Sequence, residues 1–289
     1  MVNAPRVHVV DDTNLPRALA FLERHADSSM FLLGNLKATG PRLGPALNSG
    51  DFKLIEEDGQ VRAVFCLTRR TTVLAEAGGR TELAQTIIDA CRREPIPIGG
   101  VLGEWTLAAA IWSILRKERG FKELYAAKEV LQACDLTEFT PPAATPHVRL
   151  LRADDFDQWY QLNVAFCAEE GLPLQGTPAE RRAQFGRNAE ARLWWGYFED
   201  GCLVAMAGLN AVYEQLGQVG GVYTSPEHRR RGFSRATMNA LLTDAVKVHG
   251  LKRMILFTGE RNHAAQHLYD TLSFSRIGHF ALLMCQPMP

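Results

Sequence analysis

The sequence has no long hydrophobic run and no excess of either charge. Lysine plus arginine and aspartate plus glutamate number 32 each among 289 residues, so the formal net charge is +0. A chain without net charge has no global field that attracts nucleic acid or an anionic membrane. No apolar stretch approaches the roughly 20 residues of a membrane-spanning helix, and no basic segment followed by an apolar run marks a secretory signal. We therefore expect neither nucleic-acid nor membrane partners.

The sequence also lacks closely spaced cysteines. Its six cysteines are scattered, with no Cys-x-x-Cys pair, at positions Cys66, Cys91, Cys134, Cys167, Cys202 and Cys285. This distribution argues against a disulfide framework or a zinc knuckle and favours reduced thiols in a cytoplasmic protein.

Three prolines within six residues mark the best candidate for a linker. They fall in the segment 139–147, Phe-Thr-Pro-Pro-Ala-Ala-Thr-Pro-His, which can continue neither a helix nor an internal strand. A chain of this length also divides naturally into two cores of about 145 residues each. The sequence thus predicts two domains, at residues 1–140 and 147–289.

An arginine-rich turn, Arg-Arg-Arg-Gly-Phe-Ser-Arg at 229–235, lies between a predicted strand ending at Thr224 and a predicted helix over Ala236–His249. Unpaired N–H groups in the first turn of a helix, together with the helix dipole, form a site for phosphate. Taken alone, such a turn is often a solvated loop, because short motifs carry a high false-positive rate. Its context therefore decides the interpretation.

A second motif begins about thirty residues later and again opens a helix after an apolar strand, Met254–Thr258. It reads Asn-His-Ala-Ala-Gln-His-Leu-Tyr-Asp-Thr-Leu-Ser-Phe over 262–274. In this order and at this spacing the two motifs resemble those of the GNAT superfamily of N-acetyltransferases. The family's cofactor turn, Arg/Gln-x-x-Gly-x-Gly/Ala, is matched by Arg229, Gly232 and Ser234. The later motif is matched by Asn262, Ala265, Leu268, Tyr269 and Phe274, with Ser273 in place of the family's glycine.

The resemblance implies the GNAT fold over residues 147–289, with elements in the order β-α-α-β-β-β-α-β-α-β. The predicted elements of residues 6–136 repeat this order, so we expect an α/β (α+β) mixed-sheet protein with two tandem GNAT-like domains. The first is predicted to be degenerate, since Glu76-Ala-Gly-Gly-Arg80 replaces the cofactor turn and no Asn…Tyr motif follows. Two strands in a hairpin-like pair are predicted over Ile277–Met284.

By resemblance, the protein is an N-acetyltransferase that moves the acetyl group of acetyl-CoA to the primary amine of a small acceptor. The alternative, from another class, is a non-catalytic acyl-CoA-binding sensor or scaffold. Tyr269 matches the family's general acid, and a phenol is protonated at neutral pH. Cofactor-binding roles fall, by resemblance, on Val222, Tyr223, Thr224, Arg229, Arg230, Arg231, Gly232, Phe233, Ser234, Arg235 and Asn262.

The general base stays open at the level of sequence, because the strand Gln218–Thr224 carries no carboxylate. Glu169 and Glu170 are the candidates, since they are predicted to lie in the loop after the first helix of the second half, and by resemblance this loop lines the acceptor pocket. Glu214 is expected to lie far from the site, and Glu260 is expected to pair with the adjacent Arg261. A water chain is the remaining option for the base. His263 and His267 lie one helical turn apart without a third ligand, so no metal is predicted. The acceptor and the oligomeric state are not predicted.

Overall fold

The computed structural model describes residues 5–143, 145–174 and 176–288. Two compact units make up the chain. The first comprises Met1–Leu131 together with Gly278–Pro289, and the second comprises Gln132–Ile277.

The first unit is a mixed sheet with helices. Its strands follow the order β1-β2-β3-β4-β5-β12, and every neighbouring pair is antiparallel except β4 and β5, which are parallel. The elements along the chain are β1 (Arg6–Val9), α1 (Leu15–Arg24), α2 (Ala26–Thr39), β2 (Lys53–Glu57), β3 (Gln60–Leu67), β4 (Thr72–Glu76), α3 (Ala84–Cys91), β5 (Ile98–Glu104), α4 (Trp105–Leu115) and β6 (Glu123–Asp135), with β12 (Ser275–Met288) at the end of the chain.

The second unit has the same construction. Its strands follow the order β11-β10-β9-β8-β7, with β10 and β11 parallel and the other neighbours antiparallel. The elements are β7 (Val148–Leu150), α5 (Phe156–Glu170), α6 (Pro178–Glu190), β8 (Trp194–Glu199), β9 (Cys202–Tyr213), β10 (Leu216–Thr224), α7 (Phe233–Lys247), β11 (Arg253–Gly259) and α8 (His263–Asp270).

The element order β-α-α-β-β-β-α-β-α-β therefore occurs twice along the chain, which confirms the predicted tandem fold. Three predicted elements need correction. Helix α5 extends to Glu170, so Glu169 and Glu170 lie in its last turn rather than in the loop after it. Helix α7 begins at Phe233 rather than Ala236, so it includes Arg235. The last segment is one strand, Ser275–Met288, and not a hairpin-like pair, because Phe280–Met284 pair in one continuous register with β5, which leaves no place for a turn.

The compact units and the predicted domains divide the chain differently. Residues Phe280–Met284 of β12 pair with Gly100–Glu104 of β5, and their side chains Ala281, Leu283 and Cys285 join the first unit's core. The last strand thus belongs to the first unit, whereas the proline-rich segment alone suggested a division near residues 140–147. Which segments fold as independent domains stays a prediction.

Each unit has its own hydrophobic core. In the second unit, α7 turns one face toward the sheet, because its apolar residues recur every three or four positions. These residues are at most 1% exposed, and a fully buried leucine-sized side chain contributes roughly 1.5–3 kcal/mol. They are Met238, Leu241, Leu242 and Ala245.

Helix α8 ends in a Schellman motif that orients Tyr269. The Phe274 N–H donates to the Tyr269 carbonyl at 3.1 Å and the Ser273 N–H to the Asp270 carbonyl at 3.2 Å, the two bonds that define this motif. The accompanying hydrophobic contact joins the rings of Tyr269 and Phe274, whose centroids lie 6.0 Å apart. The motif needs a left-handed residue, and Ser273 supplies it with φ at +65°.

We expect Ser273→Gly to raise the free energy of unfolding by about 0.5–1 kcal/mol. A non-glycine residue in the left-handed region costs roughly 1–2 kcal/mol, of which the greater freedom of glycine in the unfolded chain offsets roughly 0.5–1 kcal/mol. Urea unfolding of the purified variant measures the change. Ser275→Gly, at the start of β12, is the matched control and should lower stability. Equal losses in both variants would contradict this account of the helix end.

Candidate active site

The parallel strands β10 and β11 diverge. They pair at Leu216–Arg253, Gly217–Met254 and Gln218–Ile255, and among the described residues no pair follows. Two irregularities in the pairing of β10 with β9 coincide with this divergence, one at Gln218/Val219 and one between Gly220 and Tyr223. A bulge bends the strand that carries it. The second half of β10 therefore leaves its partner, and a wedge opens between the two strands.

Gly221 allows the second bulge. Its φ is +61°, and a Cβ atom there would lie 2.5 Å from Cη2 of Trp194. Trp194 is 5% exposed and packs edge-on against Trp159 at a centroid distance of 5.3 Å, so it cannot move aside easily. Both the backbone conformation and the close approach of the indole thus require glycine.

The arginine-rich turn leads from β10 into α7. Gly232 is the N-cap of α7 with φ at +83°, and no side chain caps the helix. A Cβ at Gly232 would meet nothing within 4 Å, so the turn faces open space. The first three N–H groups of the helix have no intrahelical acceptor. Arg230 and Arg235 are exposed beside them and, within the described part of the chain, have no ion-pair partner.

A cavity of about 570 Å³ lies between this turn, the end of α5 and the start of α8, all within the second unit. Every predicted site residue lines it except Arg231, whose guanidinium pairs instead with Glu199 at 2.5 Å. The lining also contains residues to which the sequence assigned no binding or catalytic role: His228, Ala264, Ala265, His267 and Leu268. Ala265 and Leu268 belong to the second motif, which was a signal for them, whereas no motif marks His228 or Ala264.

Glu169 is engaged by an arginine at the cavity. Its Oε2 accepts a hydrogen bond from Arg229 Nη2 at 2.6 Å and one from the Tyr223 hydroxyl at 3.3 Å. The guanidinium holds the pKa of the Glu169 carboxyl below its ordinary value. A carboxylate paired in this way is a weak proton acceptor at neutral pH.

Glu170 has a different environment. It is half-buried, and its Oε1 accepts a hydrogen bond from Asn262 Nδ2 at 3.2 Å. Burial, followed by the charge of Glu169, raises the pKa of the Glu170 carboxyl, although the Asn262 hydrogen bond and Arg229 act in the opposite direction. A carboxylate whose pKa is moved toward neutrality is the better general base. The geometry thus separates two glutamates that the sequence left equivalent.

Tyr269 faces the same cavity from α8 and is 5% exposed. Asn262 caps this helix, because its Oδ1 accepts the Ala265 N–H at 3.1 Å. The same asparagine therefore fixes the start of the helix that carries the phenol and contacts Glu170.

The two other glutamates considered for the general base, Glu214 and Glu260, do not line the cavity. Within the described residues, no three side chains of the histidine, cysteine, aspartate and glutamate types converge as metal ligands do. None of the described helices combines the length and the hydropathy that crossing a bilayer requires.

The divergent parallel strand pair and the arginine- and glycine-bearing turn fit the GNAT fold that the two sequence motifs implied. The model of the acetyltransferase (GNAT) family matches residues 156–274. The chain therefore contains a GNAT-family acetyltransferase domain in this segment, as the two motifs predicted. No curated protein matches the sequence.

Solved structures of GNAT proteins share the fold over nearly the whole chain. A GCN5-related N-acetyltransferase from Sphaerobacter thermophilus is 15% identical with a TM-score of 0.61, covering 99% of this chain and 96% of that one. A GNAT-family acetyltransferase from Colwellia psychrerythraea is 12% identical with a TM-score of 0.55, covering 96% and 99%. A tandem GNAT protein from the clavulanic acid biosynthesis pathway is 14% identical with a TM-score of 0.51, covering 98% of each chain.

Replacing Gly221 by alanine tests the steric origin of the bulge. In Gly221→Ala, the added methyl group combines left-handed strain with overlap against Trp194, so we expect a loss of about 2–4 kcal/mol in the free energy of unfolding. Gly201→Ala is the matched control, since Gly201 also has a positive φ, +79°, but nothing lies within 4 Å of its Cβ position. Urea midpoints of the two variants test this, and a loss at Gly221 no larger than at Gly201 would refute the steric role of the indole.

Proposed function

We propose that the protein is an acyl-CoA-dependent N-acetyltransferase that transfers the acetyl group of acetyl-CoA directly to the primary amine of a small acceptor. The observation that supports this most strongly is that one cavity combines an open helix N-terminus, a half-buried carboxylate and a buried phenol. These are the parts that thioester aminolysis needs: an anchor for the cosubstrate, a proton acceptor for the amine and a proton donor for the leaving thiolate.

The cofactor turn suits a diphosphate. Gly232 leaves room for close approach, and the first N–H groups of α7 point out of the helix. Arg230 and Arg235, which have no ion-pair partner in the described part of the chain, supply positive charge. Helix N-termini of this kind bind phosphate groups well. Beyond Gln218, the backbone of β10 leaves β11 and offers polar groups toward the wedge, where Val222 and Thr224 line the cavity. This arrangement suits the amides of a pantetheine arm.

Acetyl-CoA, when bound, supplies a thioester whose C–S bond breaks as the C–N bond of the amide forms. Glu170 takes the proton that the acceptor ammonium must lose before its nitrogen can attack. Tyr269 gives its hydroxyl proton to the departing sulfur. The nitrogen releases its second proton to solvent as the amide forms, and the phenolate of Tyr269 regains a proton from solvent. Asn262 fixes the positions of Tyr269 and Glu170 relative to each other, because it caps the helix that carries Tyr269 and donates a hydrogen bond to Glu170.

The first unit supports this assignment by contrast. There β4 and β5 stay paired from Thr72–Gly100 to Ala75–Gly103, so no wedge opens at the end of β4. Gly78 and Gly79 both have positive φ, at +56° and +81°, but the Gly78 N–H donates to the Glu76 carboxylate at 2.8 Å. An internal anion thus occupies the position where a phosphate would bind, and we propose that the first unit takes no acyl-CoA.

We also propose a cytoplasmic location. All six cysteines are free, and four of them, Cys66, Cys91, Cys134 and Cys285, are buried. Burial raises the pKa of Cys91 to about 12. These thiols act as small apolar side chains, which fits a reducing compartment.

Tyr269→Phe tests the proton donor. The ring keeps its packing, so we expect acetyl-CoA affinity to stay within about twofold while kcat falls roughly 10²–10⁴-fold, the contribution typical of a general acid. Titration calorimetry with acetyl-CoA and thiol release across a panel of amines measure the two effects. Tight acetyl-CoA binding without release from any amine would instead favour the non-catalytic sensor or scaffold.

The protonation of Glu170 should make kcat/KM depend on pH. Because a general base must be deprotonated, kcat/KM should rise with pH through the pKa of Glu170, and this acidic limb should lie above the ordinary range of a glutamate. In Glu170→Gln the limb should disappear, with a loss of roughly 10²–10⁴-fold in kcat at neutral pH. Glu260→Gln, a nearby carboxylate that does not line the cavity, is the control and should keep the limb. An unchanged profile in Glu170→Gln would transfer the base role to water or another group.

A further inference from the structure

Arg229 makes two hydrogen bonds that the cofactor turn by itself does not require. Its Nε donates to the carbonyl oxygen of Thr224 at 3.0 Å, and its Nη2 donates to Oε2 of Glu169 at 2.6 Å. Thr224 is the last residue of β10, and Glu169 lies in the last turn of α5. One guanidinium therefore joins the end of the cofactor strand to the end of the helix that carries the two glutamates.

Asn262 extends this connection to a third element. It hydrogen-bonds Glu170 through Nδ2 and caps α8 through Oδ1. The polar contacts thus run from Thr224 through Arg229 to Glu169, and from the neighbouring Glu170 through Asn262 to the helix of Tyr269. Each of these contacts lies within hydrogen-bonding distance. The residues that make them all line the same cavity, and so does Tyr269.

We propose that Arg229 is a positioning residue that fixes the end of α5 against the cofactor turn, so that Glu170 rather than Glu169 faces the acceptor amine. This inference rests on the proposed function and deepens it, because it assigns the two glutamates different tasks. Glu169 anchors the helix end through its ion pair, and Glu170 is left to exchange protons.

The guanidinium suits this task for a geometric reason. Its donors form a rigid fork, so that Nε and Nη2 reach a carbonyl and a carboxylate in different directions at once. The Tyr223 ring lies beneath it, with 5.5 Å between the guanidinium carbon and the ring centroid. A lysine at this position offers a point charge on a flexible stem and cannot hold both partners with the same definition.

The charge balance around Glu170 makes the inference measurable. The charged and titratable groups that line the cavity with it are Glu169 on α5, Tyr223 on β10, His228, Arg229 and Arg230 in the turn, Arg235 on α7, and His267 and Tyr269 on α8. Among them, the negative charge of Glu169 raises the pKa of Glu170 and the positive charge of Arg229 lowers it. Removing either partner should therefore displace the titration of Glu170, in opposite directions.

The test uses the full chain with carboxyl-¹³C-labelled glutamate, and the Glu170 resonance is assigned by its loss in Glu170→Gln. We expect Arg229→Gln to move the Glu170 titration to higher pH and Glu169→Gln to move it to lower pH. The double variant, which removes both charges, should return it close to that of the unmodified protein. Arg231→Gln removes an arginine of the same turn that pairs with Glu199 outside the cavity, and it should leave the titration in place.

Kinetics supply the second readout. In Arg229→Lys the charge stays but the fork is lost, so we expect kcat/KM for the amine to fall about tenfold or more through misplacement of the base, with a much smaller change in acetyl-CoA affinity. This variant and Glu169→Gln also keep the test valid if Arg229→Gln does not fold.

The two proposals fail in different ways. A Glu170 titration that Arg229→Gln and Glu169→Gln both leave unmoved, or a loss confined to acetyl-CoA affinity, overturns the positioning role and leaves the acetyltransferase proposal intact. Opposite displacements in a protein that acetylates no amine support the positioning role and refute the proposed function.

Discussion

The contact between the Trp194 indole and the backbone of Gly221 is the constraint on which the site depends. The indole occupies the space where a side chain of residue 221 would lie, and the strand passes it in a left-handed conformation. The resulting bulge carries the end of β10 away from β11 after Gln218. A parallel sheet that kept its pairing would satisfy its own backbone groups and leave none for a ligand. The divergence therefore frees backbone groups of β10 that pairing with β11 would otherwise occupy.

The two units show what this constraint decides. Both follow the same element order, and in both a turn and a helix connect the two strands of a parallel pair. In the first unit the pairing persists to Ala75–Gly103 and the Glu76 carboxylate accepts the N–H of the glycine turn. In the second unit the pairing stops and the turn stays open. The same architecture thus either closes on its own carboxylate or leaves the amides of the turn open, as the proposed binding of a diphosphate requires.

The arginines of the turn give the charged groups of the second unit's site different environments. Arg230 and Arg235 lie at the N-terminus of α7 and have no ion-pair partner among the described residues, whereas Arg229 pairs with Glu169. Adjacent glutamates in a helix turn would repel each other, but pairing one of them with Arg229 separates their pKa values. Two titratable groups of the same kind, held in different environments, can take different chemical roles.

The sequence determined the family, the order of elements and most of the residues around the cavity, because these depend on local patterns: an arginine- and glycine-bearing turn, an asparagine cap and the spacing from Asn262 to Phe274. Only the tertiary structure decided which side chains meet. It turned Arg231 toward Glu199, separated Glu170 from Glu169 and placed the last strand in the first unit. These outcomes depend on contacts between residues far apart in the chain, such as Glu169 with Arg229 and Glu170 with Asn262, which local propensity does not encode.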